Sequence, residues 1–161
     1  MPDSKVLTIF TGAEPGCLMV SVPSAQAVSG SGLVGDRYFS GKGTFSKPGQ
    51  PDREVTLIES EVIEAVNRDQ KLSLTAAECR RNVVTQGVAL NHLVGKVFKV
   101  GGATLRGLDL CEPCSHLQNL TRPGILKALM HRGGLRAQVL EDGVFNVGDP
   151  GVVVETAVAS S

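Results

Sequence analysis

A hairpin pattern in the second half of the chain decides the fold class, and residues 95–110 read GKVFKVGGATLRGLDL. Two runs rich in apolar and β-branched residues flank the pair Gly101-Gly102, and a Gly-Gly pair in this setting is typical of a tight turn between antiparallel strands. We therefore predict a β-hairpin whose strands are residues 95–100 and 103–110.

Short apolar runs bounded by Gly or Pro extend the strand pattern along the chain. The predicted further strands are 5–10, 17–22, 53–58, 82–85 and 152–154, with a second hairpin of 135–141 and 144–147 across Asp142-Gly143. The predicted helices are 60–67, with Ser60 as the N-cap, and 123–130. Eight or nine strands with two or three short helices predict a mainly β, barrel-like domain, and the element order argues against a doubly wound fold.

Length and composition indicate one globular domain. The chain has 161 residues, of which 42% are hydrophobic and 20% charged, and this balance is unlike that of disordered or fibrous proteins. We expect a single domain over residues 1–155 and a disordered tail over 156–161. Residues 29–51 hold six glycines and two prolines, so they predict a long loop with a mobile flap at 41–49.

Charge and hydropathy exclude several classes of partner. Sixteen basic and sixteen acidic residues cancel, which argues against a nucleic-acid-binding protein. No apolar run approaches the roughly 20 residues of a membrane span. The first residues lack the basic region of a signal peptide, so we expect a cytoplasmic protein with reduced cysteines and no membrane partner.

The charges are nevertheless distributed unevenly along the chain. Residues 79–140 contain nine Lys or Arg and two acidic residues, so this segment carries a net charge of +7 and the rest −7. Clustered cations favour the binding of a small anion such as phosphate. Alternatively, the positive charge of this segment and the negative charge of the rest neutralise each other in the folded protein, without a bound anion.

A cysteine-rich run follows the predicted strand 103–110, and it reads Cys111-Glu112-Pro113-Cys114-Ser115-His116. The run permits a zinc site, in which Cys111, Cys114 and His116 would need Cys79 or His131 as a fourth ligand. It also permits a pair of inert core thiols. A third use is a thiolate that ligates a soft metal or carries sulfur. For that use Cys114 is the better candidate, with Cys111 directed inward.

Two further motifs offer polar groups for an anionic ligand. Arg80 and Asn82 would point to the same face of an extended chain, and they would offer a guanidinium fork for phosphate beside an amide for a heterocycle. A solvated arginine pair at a strand edge is the alternative. In the run of residues 32–38, GLVGDRY, two glycines precede Asp36 and Arg37 and permit a close backbone approach to a ligand.

Taken in order, these segments resemble the MOSC domain, the C-terminal module of molybdenum cofactor sulfurases, which also occurs as stand-alone bacterial proteins. The resemblance extends from about residue 32 to residue 154. It is carried by the runs 32–38, 53–58, 80–84, 93–96, 112–114, 136–140 and 143–149. The family is a mainly β domain built around a barrel, which agrees with the predicted strands.

The resemblance implies binding of molybdenum cofactor, a pterin dithiolene that ends in a phosphate. It implies that Cys114 is the catalytic residue and the protein ligand of molybdenum, and that Arg80 and Asn82 hold the phosphate-bearing pterin. We also expect Asp36, Arg37 and Ser115 at the cofactor. Similar proteins reduce N-hydroxylated compounds, so the resemblance favours an oxidoreductase. A carrier of the cofactor or of persulfide sulfur, and a zinc-stabilised interaction domain, are the alternatives.

The resemblance also implies partners and shows one departure. Many relatives carry His where this chain has Tyr38, so a role of that His in proton delivery would be in doubt here. Neither a pyridoxal-phosphate desulfurase segment nor a ferredoxin-like cysteine set is seen. The small-molecule substrate would therefore be served by a separate electron donor, or by a separate desulfurase that donates sulfur. The sequence leaves open whether the domain forms a homodimer.

Overall fold

A computed structural model describes residues 4–12, 19–36, 54–71, 75–110, 134–149 and 153–154. The strands are β1 (Lys5–Thr11), β2 (Val20–Val22), β3 (Ser24–Val28), β4 (Gly32–Leu33), β5 (Val55–Glu59), β6 (Val83–Gln86), β7 (Val97–Val100), β8 (Ala103–Leu110), β9 (Leu135–Glu141), β10 (Gly143–Asn146) and β11 (Val153–Val154). The helices are α1 (Ser60–Gln70) and two 3₁₀ helices, Ala77–Cys79 and Leu90–Leu93. This confirms the mainly β prediction.

The strands form two sheets. The larger sheet has eight strands in the order β11-β7-β8-β9-β5-β6-β1-β2, and the smaller has three in the order β10-β3-β4. Within the described part of the chain these sheets do not close into a barrel. No helix among the described residues is both long and apolar enough to cross a membrane.

The predicted hairpin at residues 95–110 is confirmed. β7 and β8 pair antiparallel, with Val100 opposite Ala103 on either side of the Gly101-Gly102 turn. Alternate residues of β7, Phe98 and Val100, are fully buried, while Lys99 between them is exposed. Inward apolar and outward charged residues thus follow the period of two that a half-buried strand requires.

The predicted hairpin across Asp142-Gly143 is wrong. β9 pairs with β5 and β8, whereas β10 turns into the smaller sheet and pairs with β3. The Asp142 carboxylate accepts the Ser29 backbone N–H at 2.7 Å, and a Cβ on Gly143 would overlap the Gly102 carbonyl oxygen. These two contacts make the dipeptide a corner between sheets.

Two other local predictions also need correction. The N-cap of α1 is Glu59, without a side-chain capping bond, and Ser60 is the first helical residue. The predicted long loop contains β4, and β3 was not predicted at all. The sequence of β3, SAQAV, contains few of the β-branched and aromatic residues by which strands are identified. The predicted helix 123–130, flap 41–49 and tail 156–161 lie outside the described residues.

Helix α1 joins the two parallel strands of the larger sheet. β5 and β6 are parallel, with Leu57 opposite Val83, so β5, α1 and β6 form one βαβ unit. Such a unit was not expected from the sequence. One sheet face packs against α1 through a small apolar cluster that includes Phe10, Ile58 and Val66, and the other face borders the main core.

Candidate functional site

Three of the six predicted site residues lie in the described part of the chain. Asp36, Arg80 and Asn82 are described, whereas Arg37, Cys114 and Ser115 lie outside it. The zinc alternative falls mostly outside as well, because Cys111, His116 and His131 are not described. Cys79 is described and is a fully buried thiol that donates to the Thr75 carbonyl at 3.7 Å. Within the described ranges no cluster of three metal-ligating side chains occurs.

Asn82 holds three strands together at the start of β6. Its Oδ1 accepts the Thr56 backbone N–H at 3.0 Å and the Thr56 hydroxyl at 3.2 Å. Its Nδ2 donates to the Phe10 carbonyl at 3.1 Å. The side chain is 4% exposed. Both ends of the amide are therefore engaged within the sheet, and this buried network fixes the start of β6 against β1 and β5.

Arg80 does not have the extended geometry that the sequence analysis assumed. It lies in the left-handed region with φ 57° and ψ 32°, and it ends the 3₁₀ helix Ala77–Cys79. Its backbone N–H donates to the Ala77 carbonyl at 3.1 Å. The premise that Arg80 and Asn82 share one face of an extended chain is therefore wrong. Arg80 is half-buried, and the next residue, Arg81, is 8% exposed.

Asp36 fixes the end of β1. Its Oδ1 accepts the Gly12 backbone N–H at 3.0 Å, and its own N–H donates to the Leu33 carbonyl at 3.1 Å. The residue is 2% exposed. Asp36 therefore ties the segment after β4 to the end of β1, the strand that Asn82 also contacts.

A row of polar side chains crosses four strands of the larger sheet, and we call it the polar row: Asn82, Thr56, Arg136 and Asp109. Thr56 of β5 is opposite Arg136 of β9, which is in turn opposite Asp109 of β8. Directly opposed residues of antiparallel strands point to the same face. Asn82 shares this face, since it binds the Thr56 hydroxyl. The row lies on the α1 side of the sheet, where Ile58 follows Thr56 by two residues.

The polar row borders the ends of the segment that contains Cys114. Leu110, the last residue of β8, is opposite Leu135, the first residue of β9. Asp109 precedes the first of these leucines and Arg136 follows the second. Leu110 and Leu135, the described residues on either side of 111–133, therefore lie directly beside the Asp109–Arg136 end of the polar row.

Glu54 is a buried carboxyl just before β5. It is 6% exposed, and its Oε1 accepts the Val139 backbone N–H at 2.8 Å. Burial raises the pKa of the Glu54 carboxyl above its ordinary value, while the hydrogen bond from Val139 acts in the opposite direction. The Glu54 carboxyl thus accepts a β9 backbone N–H just beyond the last paired residues of β5 and β9. This side-chain hydrogen bond extends the pairing of the two strands.

Two carboxylates at the start of α1 hold the loop after β6. The Leu90 N–H donates to Glu59 Oε2 at 3.2 Å, and the Gly87 N–H donates to Glu61 Oε2 at 2.9 Å. Burial, with a smaller contribution from Glu61, raises the pKa of Glu59, and the Leu90 hydrogen bond and His92 lower it. These contacts lie at the end of β5, whereas Thr56 lies near its start. They therefore stabilise the sheet without being part of the polar row.

The donor chemistry of this region fits an anionic ligand. Arg80 and Arg136 are half-buried residues, and charge-assisted bonds from arginine to phosphate or carboxylate are among the stronger hydrogen bonds in proteins. Sequence reasoning found Arg80 and Asn82 but missed Thr56, Arg136 and Asp109. Their proximity depends on the pairing of β5 with β9 and of β8 with β9, which no local motif signals.

A family model for the MOSC domain matches residues 44–152. The match includes the whole polar row and the cysteine-rich run at 111–116. A search of curated proteins finds no match.

Several solved structures share the fold at low sequence identity. The YUAD protein from Bacillus subtilis is 13% identical with a TM-score of 0.76, covering 90% of this chain and 92% of that chain. YiiM from Geobacillus stearothermophilus is 18% identical with a TM-score of 0.72, covering 94% and 75%. YiiM from Escherichia coli is 19% identical with a TM-score of 0.70, covering 96% and 71%. At these identities the similarity establishes the fold alone.

Proposed function

This chain belongs to the MOSC domain family, and we propose that it binds molybdenum cofactor and reduces N-hydroxylated compounds, with Cys114 as the protein ligand of molybdenum. The family is associated with the cofactor. The observation that carries the proposal is the extent of the family match, which includes Cys114 and the half-buried residues Arg80 and Arg136. A soft thiolate and cationic donors are what a metal dithiolene with a phosphate end requires.

The proposed roles follow the chemistry of each side chain. Cys114 supplies a thiolate, and Arg80 supplies a guanidinium for the phosphate. Asn82 keeps one Nδ2 hydrogen beyond the one that it gives to Phe10, so an amide contact to the pterin is compatible with its structural bonds. Arg37 and Ser115 complete the proposed set, while Asp36 acts through its contact with Gly12.

The proposed reaction is a two-electron reduction. An N-hydroxylated compound takes up two electrons and two protons, its N–O bond breaks, and the products are the N–H compound and water. When bound, the cofactor would supply a redox-active metal centre for this two-electron chemistry, held by the Cys114 thiolate. A separate electron-donor protein supplies the electrons, and the chain's own residues hold the cofactor and exclude competing ligands.

The test is metal and pterin analysis of protein purified from a host that makes molybdenum cofactor. We expect molybdenum and pterin near one per chain in the wild type and in the Cys111→Ser control. In Cys114→Ser we expect loss of molybdenum and of turnover of a hydroxylamine with an artificial electron donor. Unchanged turnover in Cys114→Ser would overturn the mechanism.

The same measurement separates the alternatives. Zinc without pterin would indicate the zinc-stabilised domain. Cofactor that exchanges between proteins without any turnover would indicate a carrier.

A further inference from the structure

We infer that the outer face of the smaller sheet is an interface between two copies of this chain, related by a two-fold axis that passes near Gln26. The outer face is the side of β3, β4 and β10 that points away from the main core. The inference concerns association in solution and does not depend on the proposed function.

The two faces of the smaller sheet differ in burial, as expected of a sheet that covers a core on one side. Ala25, Ala27 and Phe145 point into the main core and are at most 5% exposed. Gln26 of β3 and Val144 of β10 alternate with them and are exposed. Outward positions of such a sheet are ordinarily polar, yet Val144 is 50% exposed.

Gln26 lies between two exposed valines on this face. Val144 is opposite Gln26 in the β10–β3 pairing, and on the other side the Val34 backbone N–H donates to the Gln26 carbonyl at 3.0 Å. Because Leu33 opposite Ala27 is buried, the alternation of side chains places Val34 on the outer face with Gln26. The three side chains thus form one row across the face.

The outer face belongs to a surface without charge. Residues 19–35 and 143–148 contain no Asp, Glu, Lys or Arg, although 20% of the chain is charged, which would give about five in this length. The outward positions of β7 and β8, by contrast, carry Lys99 and Arg106. Interface cores are depleted in charge, and clustered apolar side chains indicate an interaction site where single ones do not. Four of the five exposed large hydrophobic side chains among the described residues lie in the uncharged ranges: Val20, Val34, Val144 and Val147.

The backbone of the row is already bonded, so the surface offers side chains rather than a free strand edge. The Val144 carbonyl accepts the Gly102 N–H at 3.0 Å, and the Gln26 carbonyl accepts the Val34 N–H. A peptide that adds to a sheet as a further strand needs such backbone groups free. Packing of another surface against the face is therefore the mode of binding that this row supports.

A second copy of the chain is the partner that this chemistry fits. At a two-fold axis each residue near the axis meets its own counterpart, so charged side chains would repel one another there. Valine packs against valine, and the Gln26 amide has both a donor and an acceptor, so it can hydrogen-bond to the same amide of a second copy. A partner recognised by its charge would find no complementary charge on this face.

The size of the surface sets the expected affinity. Seventeen residues of 19–35 and 143–148 are exposed or half-buried, and this is the most that the uncharged surface could contribute. A standard interface has roughly 20–30 residues on each side. We therefore expect a dimer that dissociates at concentrations on the order of micromolar rather than a permanent one.

Sedimentation equilibrium of the full chain from about 1 to 200 micromolar tests the inference. The variant is Val144→Lys, and Val94→Lys is the matched control, because Val94 is 41% exposed and lies outside the uncharged surface. We expect Val144→Lys to dimerise at least about tenfold more weakly than the wild type, since like charges would be brought together at the interface. Val94→Lys should dimerise like the wild type.

A pair of opposite charges at Gln26 separates a lost interface from a misfolded variant. Gln26→Lys and Gln26→Glu should each be monomeric alone, and an equimolar mixture of the two should dimerise, because opposite charges then meet at the axis. A wild type that stays monomeric over the whole range would overturn the inference and leave the surface to a different partner. Unchanged dimerisation of Val144→Lys, or a mixture no more associated than its components, would also overturn it.

Discussion

Thr56 and Asn82 bind each other through main chain and side chain at once. Thr56 donates its backbone N–H to Asn82 Oδ1 at 3.0 Å, and Asn82 donates its own N–H to the Thr56 carbonyl at 3.0 Å. These two hydrogen bonds extend the pairing of the parallel strands β5 and β6 by one residue, and one of the two is made by a side chain. The amide that the family resemblance assigns to a ligand is thus also a structural element of the sheet.

Replacement of Asn82 by alanine should destabilise the protein by about 3 kcal/mol. The Thr56 N–H and the Phe10 carbonyl would lose their side-chain partner in a buried site, and an unsatisfied buried polar group costs about 1–3 kcal/mol. Urea unfolding measures the change. The control is Gln86→Ala at the exposed end of the same strand, which should change stability by less than about 0.5 kcal/mol. A similar loss in both variants would contradict the role of the amide.

Glu54→Gln should change how stability depends on pH. Because the folded-state pKa of Glu54 is raised, its contribution to stability is fully present below its unfolded pKa and is lost as pH rises through the folded value. Gln keeps an acceptor for the Val139 N–H but does not ionise. The free energy of unfolding of Glu54→Gln should therefore rise relative to the wild type as pH increases from about 4 to 8.

Urea unfolding of both proteins across that pH range measures the difference, in which the other titrating groups cancel. Glu54→Ala is the companion variant. It leaves the Val139 N–H without its acceptor, so it should be less stable than Glu54→Gln by about 1–2 kcal/mol at every pH. A stability difference between Glu54→Gln and the wild type that is independent of pH would contradict the prediction.

Gly134→Ala should be more destabilising than an ordinary glycine substitution. Gly134 has a φ of 114°, and a Cβ there would overlap the Leu57 carbonyl oxygen. Strain in this region costs about 1–2 kcal/mol, and overpacking against the backbone adds a comparable amount, so we expect a loss of at least about 3 kcal/mol. Thermal unfolding reports it.

Gly35→Ala is the matched control for that experiment. Gly35 has a φ of 90°, and a Cβ there would have no heavy atom of the described residues within 4 Å. It should therefore show the strain without the overlap. An equal loss of stability in Gly134→Ala and Gly35→Ala would contradict the prediction that the close approach of residue 134 to β5 adds to the destabilisation.

The sequence predicted those parts of the fold whose signals are local. The β7–β8 hairpin was found because Gly101-Gly102 lies between two alternating runs. The β9–β10 hairpin was predicted on the same grounds at Asp142-Gly143, and there contacts from Ser29 and Gly102, which are distant in the chain, direct the strand elsewhere.

The candidate site was predictable only in part for the same reason. Asn82 stands out because it lies beside two arginines at the start of an apolar run. Thr56, Arg136 and Asp109 are ordinary polar residues at the outward positions of three separate strands, and only the sheet order β8-β9-β5-β6 brings them into one row with Asn82. The left-handed backbone of Arg80 likewise follows from a 3₁₀ turn that has no strong sequence signature.

The corner at Asp142-Gly143 has a consequence for the order of assembly. The smaller sheet pairs β3, near the start of the chain, with β10, so Ser24 lies opposite Asn146. Pairings of such sequence separation are slow, because the entropy of closing the loop is lost before the contacts form. β4 covers one edge of β3 early in synthesis, but the other edge stays unpaired until residues 143–146 emerge from the ribosome.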